Sequence, residues 1–346
     1  MRTSIGVGLF ILFGLFTAFI IGFRPDFNGS LPIDEEQEGL TDRIVIKFSH
    51  VVAGDTPKGL AAAYFAERVR ELSGDSIEIQ VFPNAILHTE KTEIAALQHG
   101  EIQMIAPSFS NLNVIDPVWY VMDMPFAFRD QKDVDSALQG YVGRTLSESL
   151  HRHGMEAVAF WANGFKQMIS SKGPLRVPDD FQNQTFRIQP SQLLESQFQA
   201  LGAGTVRIPF NEVYGNLARG TADGLENTIS NIVSKGLYRV QKYMTISNHG
   251  YLGYAVIVNG QFWDGLSEEH QQQLQQAFED TTEWINRKTA AMDERQLSIV
   301  EKSGRVAIHY LTEEERALWV ERFKPLYAQY EKTIGRELMA EIGGPE

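Results

Sequence analysis

The chain has 346 residues, 43% of them hydrophobic, enough for a sizeable core and for two domains. Its net charge is −13, from 44 acidic against 31 basic residues, a field that repels nucleic acid and anionic lipid and that an anionic solute could only enter through a local basic pocket. There is no cysteine, which excludes disulfides, thiolate nucleophiles, cysteine–zinc sites and lipid attachment through sulfur.

Residues 1–24 hold one early arginine and an apolar run from Ile5 to Phe23, closed by Arg24, Pro25 and Asp26. A secretory signal has an apolar core of ~7–15 residues and a small-residue cleavage site, and AFIIGFRPDF has no such site. A bilayer span needs ~20 residues. The segment is a signal peptide or a membrane anchor, with the longer run favouring an uncleaved anchor, and either directs export. Residues 25–42 are acidic, contain Pro, Gly and Asn, and show no apolar periodicity, as a flexible linker would.

Folded structure is expected from Ile44. IVIKFSH reads as a strand, the stretch from Lys58 to Leu72 as a helix with Leu60, Tyr64, Phe65, Val69 and Leu72 on its buried stripe, and IEIQVF as a second strand. A helix from Thr89 to Gly100 and the strand EIQMIAP complete a strand–helix–strand–helix–strand unit. DMPFAF (123–128) reads as a buried crossover, residues 133–150 as amphipathic helix, and 158–171 as two short strands kinked at Gly164. The order of elements then repeats between Pro178 and Asn231. TFRIQ alternates like a strand, SQLLESQFQAL is a helix ended by Gly202, TVRIP is a strand, NEVYGNLARG a helix, and ADGLEN an edge running into a loop. Two such units predict an α/β chain of two lobes with parallel strands, helices on both faces, and a ligand cleft beyond the carboxyl ends of the strands. His50, the GDTPK loop, Pro107 and Ser108 fall on one wall of that cleft.

Beyond Asn231, residues 233–245 read as a helix and 250–260 as a strand returning to the first lobe. One helical run of nearly forty residues follows, between Ser267 and Gly304, far beyond the ~11–12 residues of an ordinary globular helix. RVAIHYL is a last strand, and helices close the chain.

No enzymatic signature is present: there is no GxSxG, P-loop or Rossmann fingerprint, and HRH at 151–153 has no third metal ligand at a standard spacing. GAGT at 202–205 follows a helix, so it is a helix terminus and not a phosphate loop. Arg187 is different. A guanidinium in mid-strand either sits on a solvated face, joins a structural ion pair, or clamps a carboxylate bidentately at the mouth of the sheet.

FRIQ (186–189), GAGTVRIPFNEVYGNL (202–217) and GTADGLENTISNI (220–232) resemble the solute receptors of tripartite ATP-independent periplasmic (TRAP) transporters, in the branch for four-carbon dicarboxylates. FSHVVAGDTPKG, VFPNAIL, IAPSFSN, DMPFAF, FWANGFKQ and VQKYMTISNHGYLGYAVIVN extend the resemblance from Ile44 to about Ile342. It implies a two-lobed periplasmic-binding-protein-like fold with a long bridging helix. Lobe I would cover 43–160, completed by segments after about 245, and 161–245 would form the core of lobe II. The bridging helix would span 266–304, and 305–346 would add a strand and helices. It further implies an exported, periplasmic receptor that is not an enzyme, carries no cofactor, and hands a carboxylate (malate, fumarate or succinate) to small and large membrane subunits. In that pocket Arg187 orients the solute, Asn227 donates its amide, Phe210 covers it, and Lys166, with Lys58, meets the second carboxylate. Ser108 and His50 line the opposite wall. The sequence departs from the family in DGLEN, where Leu225 replaces glutamine, in Thr228, where proline or tryptophan is common, and in HTEK, where a glycine–aspartate pair is usual. A membrane-anchored sensor of the same solutes, or a receptor for another organic acid, is the alternative.

Overall fold

The structure, a computed structural model, describes residues 43–344. The apolar run 5–23 and the linker 25–42 lie outside the described residues. Among the described residues no helix is long and apolar enough to cross a membrane.

The first unit comprises β1 (Ile44–Ser49), α1 (Pro57–Ser73), β2 (Ile77–Phe82), α2 (Glu93–Gln98) and β3 (Met104–Ile105). The start of α1 is fixed locally: the Thr56 hydroxyl accepts a hydrogen bond from the Gly59 amide, Pro57 occupies the first turn, and Gly74 ends the helix at φ 57. The helix expected from Thr89 is shorter than its pattern, because residues 89–92 form a turn. Then come α3 (Phe109–Leu112), α4 (Gln131–Gln139), α5 (Tyr141–His151) and β4 (Met155–Ser170). The second unit holds β5 (Thr185–Ile188), α6 (Gln192–Ala200), β6 (Gly204–Arg207), α7 (Val213–Ala218) and β7 (Gly224–Thr228). The remainder is α8 (Ile229–Ser234), β8 (Tyr243–Asn259), α9 (Gly260–Asp264), α10 (Glu268–Ser303), β9 (Ala307–Tyr310), α11 (Glu313–Ile334) and α12 (Arg336–Glu341).

These strands form one mixed sheet in the order β2-β1-β3-β8-β4-β7-β5-β6, with β9 also on β8. Each unit is internally parallel, β2-β1-β3 on one side and β7-β5-β6 on the other. Between them runs the long antiparallel pair β4 and β8. Three expectations are corrected here. The two strands expected over 158–171 are instead one 16-residue strand ending at Ser170, whose register shifts at Ala157/Ala159, Ala162/Gly164 and Lys166/Met168 interrupt the alternation a strand would show. The helix expected at 233–245 ends early, at Ser234; Gly236 takes φ 65, Leu237–Arg239 form a 3-10 turn, and only the last three residues belong to β8. The ADGLEN segment is no edge: β7 lies buried between β4 and β5, and a Cβ at Gly224 would come 2.2 Å from the Ile169 carbonyl.

Helix α10 ties the two sides together. Ser267 caps it through the His270 amide and Gly304 closes it at φ 61. Its 36 residues extend about 54 Å at the α-helical rise. Near its start Leu274, Phe278 and Ile285 enter the core under β1 and α1, where the Phe65 and Phe278 rings stack at 4.3 Å. Near its end Val300 enters the core around Ile169, Phe210 and Leu225 of the second unit.

Candidate functional site

Where the carboxyl ends of β1, β3, β5 and β7 converge, a small cavity of about 20 Å3 is lined by Val51, Val52, Glu90, Ser108, Arg187, Gln189, Phe210, Asn227, Asn231, Leu252 and Tyr254. Larger clefts of about 760 and 820 Å3 lie elsewhere on the surface, and neither includes a residue of this group.

Arg187 is 2% exposed. From β5 its Nε donates to the Ile208 carbonyl at 2.7 Å. Nη2 is buried and makes no hydrogen bond, with the Glu90 carboxylate 3.6 Å away. Burial draws the guanidinium pKa below its ordinary value, with Glu90 and Glu226 opposing the shift. The group stays charged nonetheless, so it presents a buried cationic donor to the cavity. A buried donor without a hydrogen bond costs about 1–3 kcal/mol, and the Glu90 charge 3.6 Å away offsets part of that.

Asn227 ends β7 with its Oδ1 accepting from the Thr228 amide and from Asn231 Nδ2, both at 2.9 Å. With the oxygen engaged, the amide nitrogen is the end left to donate to a solute. Gln189 donates to Ser108 Oγ at 2.6 Å, joining the second unit to the first across the cavity. Phe210 covers one side, its own amide donating to Glu90 Oε2 at 2.8 Å.

Of the seven residues expected from sequence, Arg187, Asn227, Phe210 and Ser108 are brought together on this cavity. Three are not. His50 is fully buried beside it with both ring nitrogens unpartnered, and burial, then Lys58, pushes its pKa down to about 3, so it is neutral. Lys58 lies behind the wall, donating to the Ala106 carbonyl at 2.7 Å with Nζ 3.7 Å from the centre of the Tyr254 ring. Burial pushes it down to about 8 and pushes neighbouring Glu93, whose oxygens have no hydrogen-bond partner, up to about 8. Lys166, expected over the ligand, is instead the hub of a separate buried network. Its Nζ meets Glu226 at 2.8 Å and Asp123 at 3.6 Å, and Glu226 also meets His249 Nε2 at 2.8 Å. Lys166 does not line the cavity.

The family model for bacterial extracellular solute-binding protein, family 7, matches residues 48–333. The chain belongs to this family. A C4-dicarboxylate-binding protein of Bacillus subtilis is 44% identical over 344 residues, covering 99% of this chain and 98% of that one. A C4-dicarboxylate-binding periplasmic protein of Rhodobacter capsulatus is 43% identical, covering 88% and 91%. Among solved structures, a TRAP periplasmic solute-binding protein of Sulfurospirillum deleyianum with bound succinate superposes with a TM-score of 0.84 at 39% identity, covering 86% and 98%.

In this family-7 receptor the sequence reading missed Glu90, Gln189, Asn231 and Tyr254. Asn231 carried a readable signal, since it stands four residues after Asn227, one helical turn on. Tyr254 and Leu252 alternate on one face of β8, but nothing in an apolar strand marks which face meets a cavity. Glu90 sits in a turn, where no period exists to read.

Proposed function

We propose that the protein is an extracytoplasmic receptor that captures a four-carbon dicarboxylate and delivers it to the membrane subunits of a TRAP transporter. The observation that carries this reading is the buried, hydrogen-bond-free Nη2 of Arg187 beside the Asn227 amide, in the interior of a chain of net charge −13. Arg187 and Asn227 take one carboxylate of the solute, and Phe210 excludes water, which strengthens each polar contact. Ser108, Gln189 and Asn231 offer neutral hydrogen-bonding groups to the other end, and the Lys58 charge acts on it from behind Tyr254. Relatives that bind C4-dicarboxylates at 44% and 43% identity support the solute class.

The cavity draws residues from both units, so a solute bridging them favours the closed arrangement by its differential affinity for it. The N-terminal apolar run tethers the receptor to the membrane, near the subunits it serves.

A thermal-shift panel tests the reading. Succinate, fumarate and malate should raise the melting temperature of the full chain at millimolar concentration, and acetate, propionate and lactate should not. A response confined to monocarboxylates or to sugar acids would contradict it.

A further inference from the structure

The guanidinium of Arg187 is not alone. Glu90, on the turn before α2, places Oε2 3.6 Å from Arg187 Nη2 while accepting the Phe210 amide at 2.8 Å. Both side chains are nearly buried, 8% and 2% exposed. The groups acting on Glu90 from other elements are Lys235 on the Phe210 side, and Lys58, Glu93 and Tyr254 on the opposite one. Glu90 also borders a second space. A larger, mostly apolar cleft of about 400 Å3, walled by Ile94, Val114, Pro190, Ile208 and Pro209, meets the small cavity at this side chain. A cavity of about 20 Å3 holds little more than a water. A four-carbon acid needs more room than this arrangement gives.

We infer that Glu90 is a built-in competitor for the solute: its carboxylate takes the seat on Arg187 that the solute's carboxylate must occupy, and on binding it swings into the adjoining cleft. The inference rests on the carboxylate-receptor reading above and adds a selectivity device to it. A monocarboxylate arriving at Arg187 exchanges one carboxylate for another and gains almost nothing. A dicarboxylate makes the same exchange and adds the contacts of its second anionic end, which supply the net affinity. Glu90 thus rejects monocarboxylates without touching them, by making the first contact nearly neutral in free energy. Because the residue stands on a turn, the swing unwinds no helix.

The test compares wild type with Glu90→Gln by calorimetric titration of the full chain with succinate, malate and propionate at pH 7. Glutamine keeps an acceptor for the Phe210 amide but removes the charge. The expected result is at least tenfold tighter succinate binding, a similar gain for malate, measurable propionate binding that wild type lacks, and a lower melting temperature without ligand, since Arg187 loses its counter-charge. Equal or weaker succinate binding, with wild type binding normally, would overturn the competitor while leaving the receptor intact. So would loss confined to malate, because that would make Glu90 a contact for the hydroxyl group. Silence of wild type and variant alike towards every dicarboxylate would overturn both the receptor and the competitor.

Discussion

Replacing Lys166 with methionine separates a structural lysine from a solute contact. In the structure the ammonium is 1% exposed and stands between Glu226, at 2.8 Å, and Asp123, at 3.6 Å. Asp123 further accepts from Ser110 and Ser191, at 2.6 and 2.9 Å, so it cannot turn away to water. Burial alone would lower the lysine's pKa, yet Glu226 and Asp123 outweigh burial and hold it above its ordinary value. Methionine matches the stem but leaves two buried carboxylates without their cation. Breaking a buried ion pair by removing one partner costs about 3–5 kcal/mol. At about 2–4 °C per kcal/mol for a large domain, that is a fall of about 6–20 °C in melting temperature. Lys166→Arg, which keeps the charge, should recover most of the loss. The assay is calorimetry of the three proteins, followed by succinate titration below the variant's transition, where affinity should stay within about threefold of wild type, a change of ~0.7 kcal/mol. A variant that melts within 2 °C of wild type but no longer binds would refute the reasoning and make Lys166 the second clamp.

Other outcomes follow from the same geometry. Gly164→Ala should cost about 2 kcal/mol or more in urea denaturation, because φ is 115 and the new Cβ would lie 2.6 Å from Asp293 Oδ2; an unchanged midpoint would mean that the β4 bulge is soft. Burial by itself would raise Glu226, but Lys166 and His249 prevail and hold it at about 2 against an ordinary 4.5. A depressed acid contributes stability that is full above the unfolded value and is lost as pH falls towards the folded one. Its share, about 3 kcal/mol, should therefore disappear between pH 4.5 and 2, and Glu226→Gln should flatten that slope in denaturation curves taken across the window. Lys58→Met should weaken succinate about tenfold, or ~1.4 kcal/mol, through loss of its field on the second carboxylate. Unchanged succinate titration would show that Tyr254 screens the charge completely.

Much of this was legible in the residues, and the failures have identifiable causes. The alternation of TFRIQ, flanked by a capped helix, was sufficient to place Arg187 inside a strand, and repeated element order was sufficient to give an α/β chain. Helix α10 was readable to within two residues because Ser267 and Gly304 are local signals. The long strands were not, since three register shifts in β4 break the period-2 pattern that identifies a strand. The ion pairs of Lys166 were not legible for a different reason. Its partner Glu226 is sixty residues away in sequence, and which of two buried partners a lysine chooses is decided by the pairing of β4 with β7, not by any local pattern. Glu90 is the same case at greater separation from Arg187, and a turn residue offers no periodicity to betray a buried role.

The measurement closest to the centre of the account is a calorimetric titration of Arg187→Lys with succinate beside the wild-type protein. Lysine keeps the positive charge but loses the planar fork and the Nε anchor on Ile208, so the account predicts a melting curve near that of wild type and affinity reduced at least a hundredfold, ~2.8 kcal/mol. A lysine variant that binds succinate as tightly as wild type would contradict it, because a bare charge at that position would then be enough.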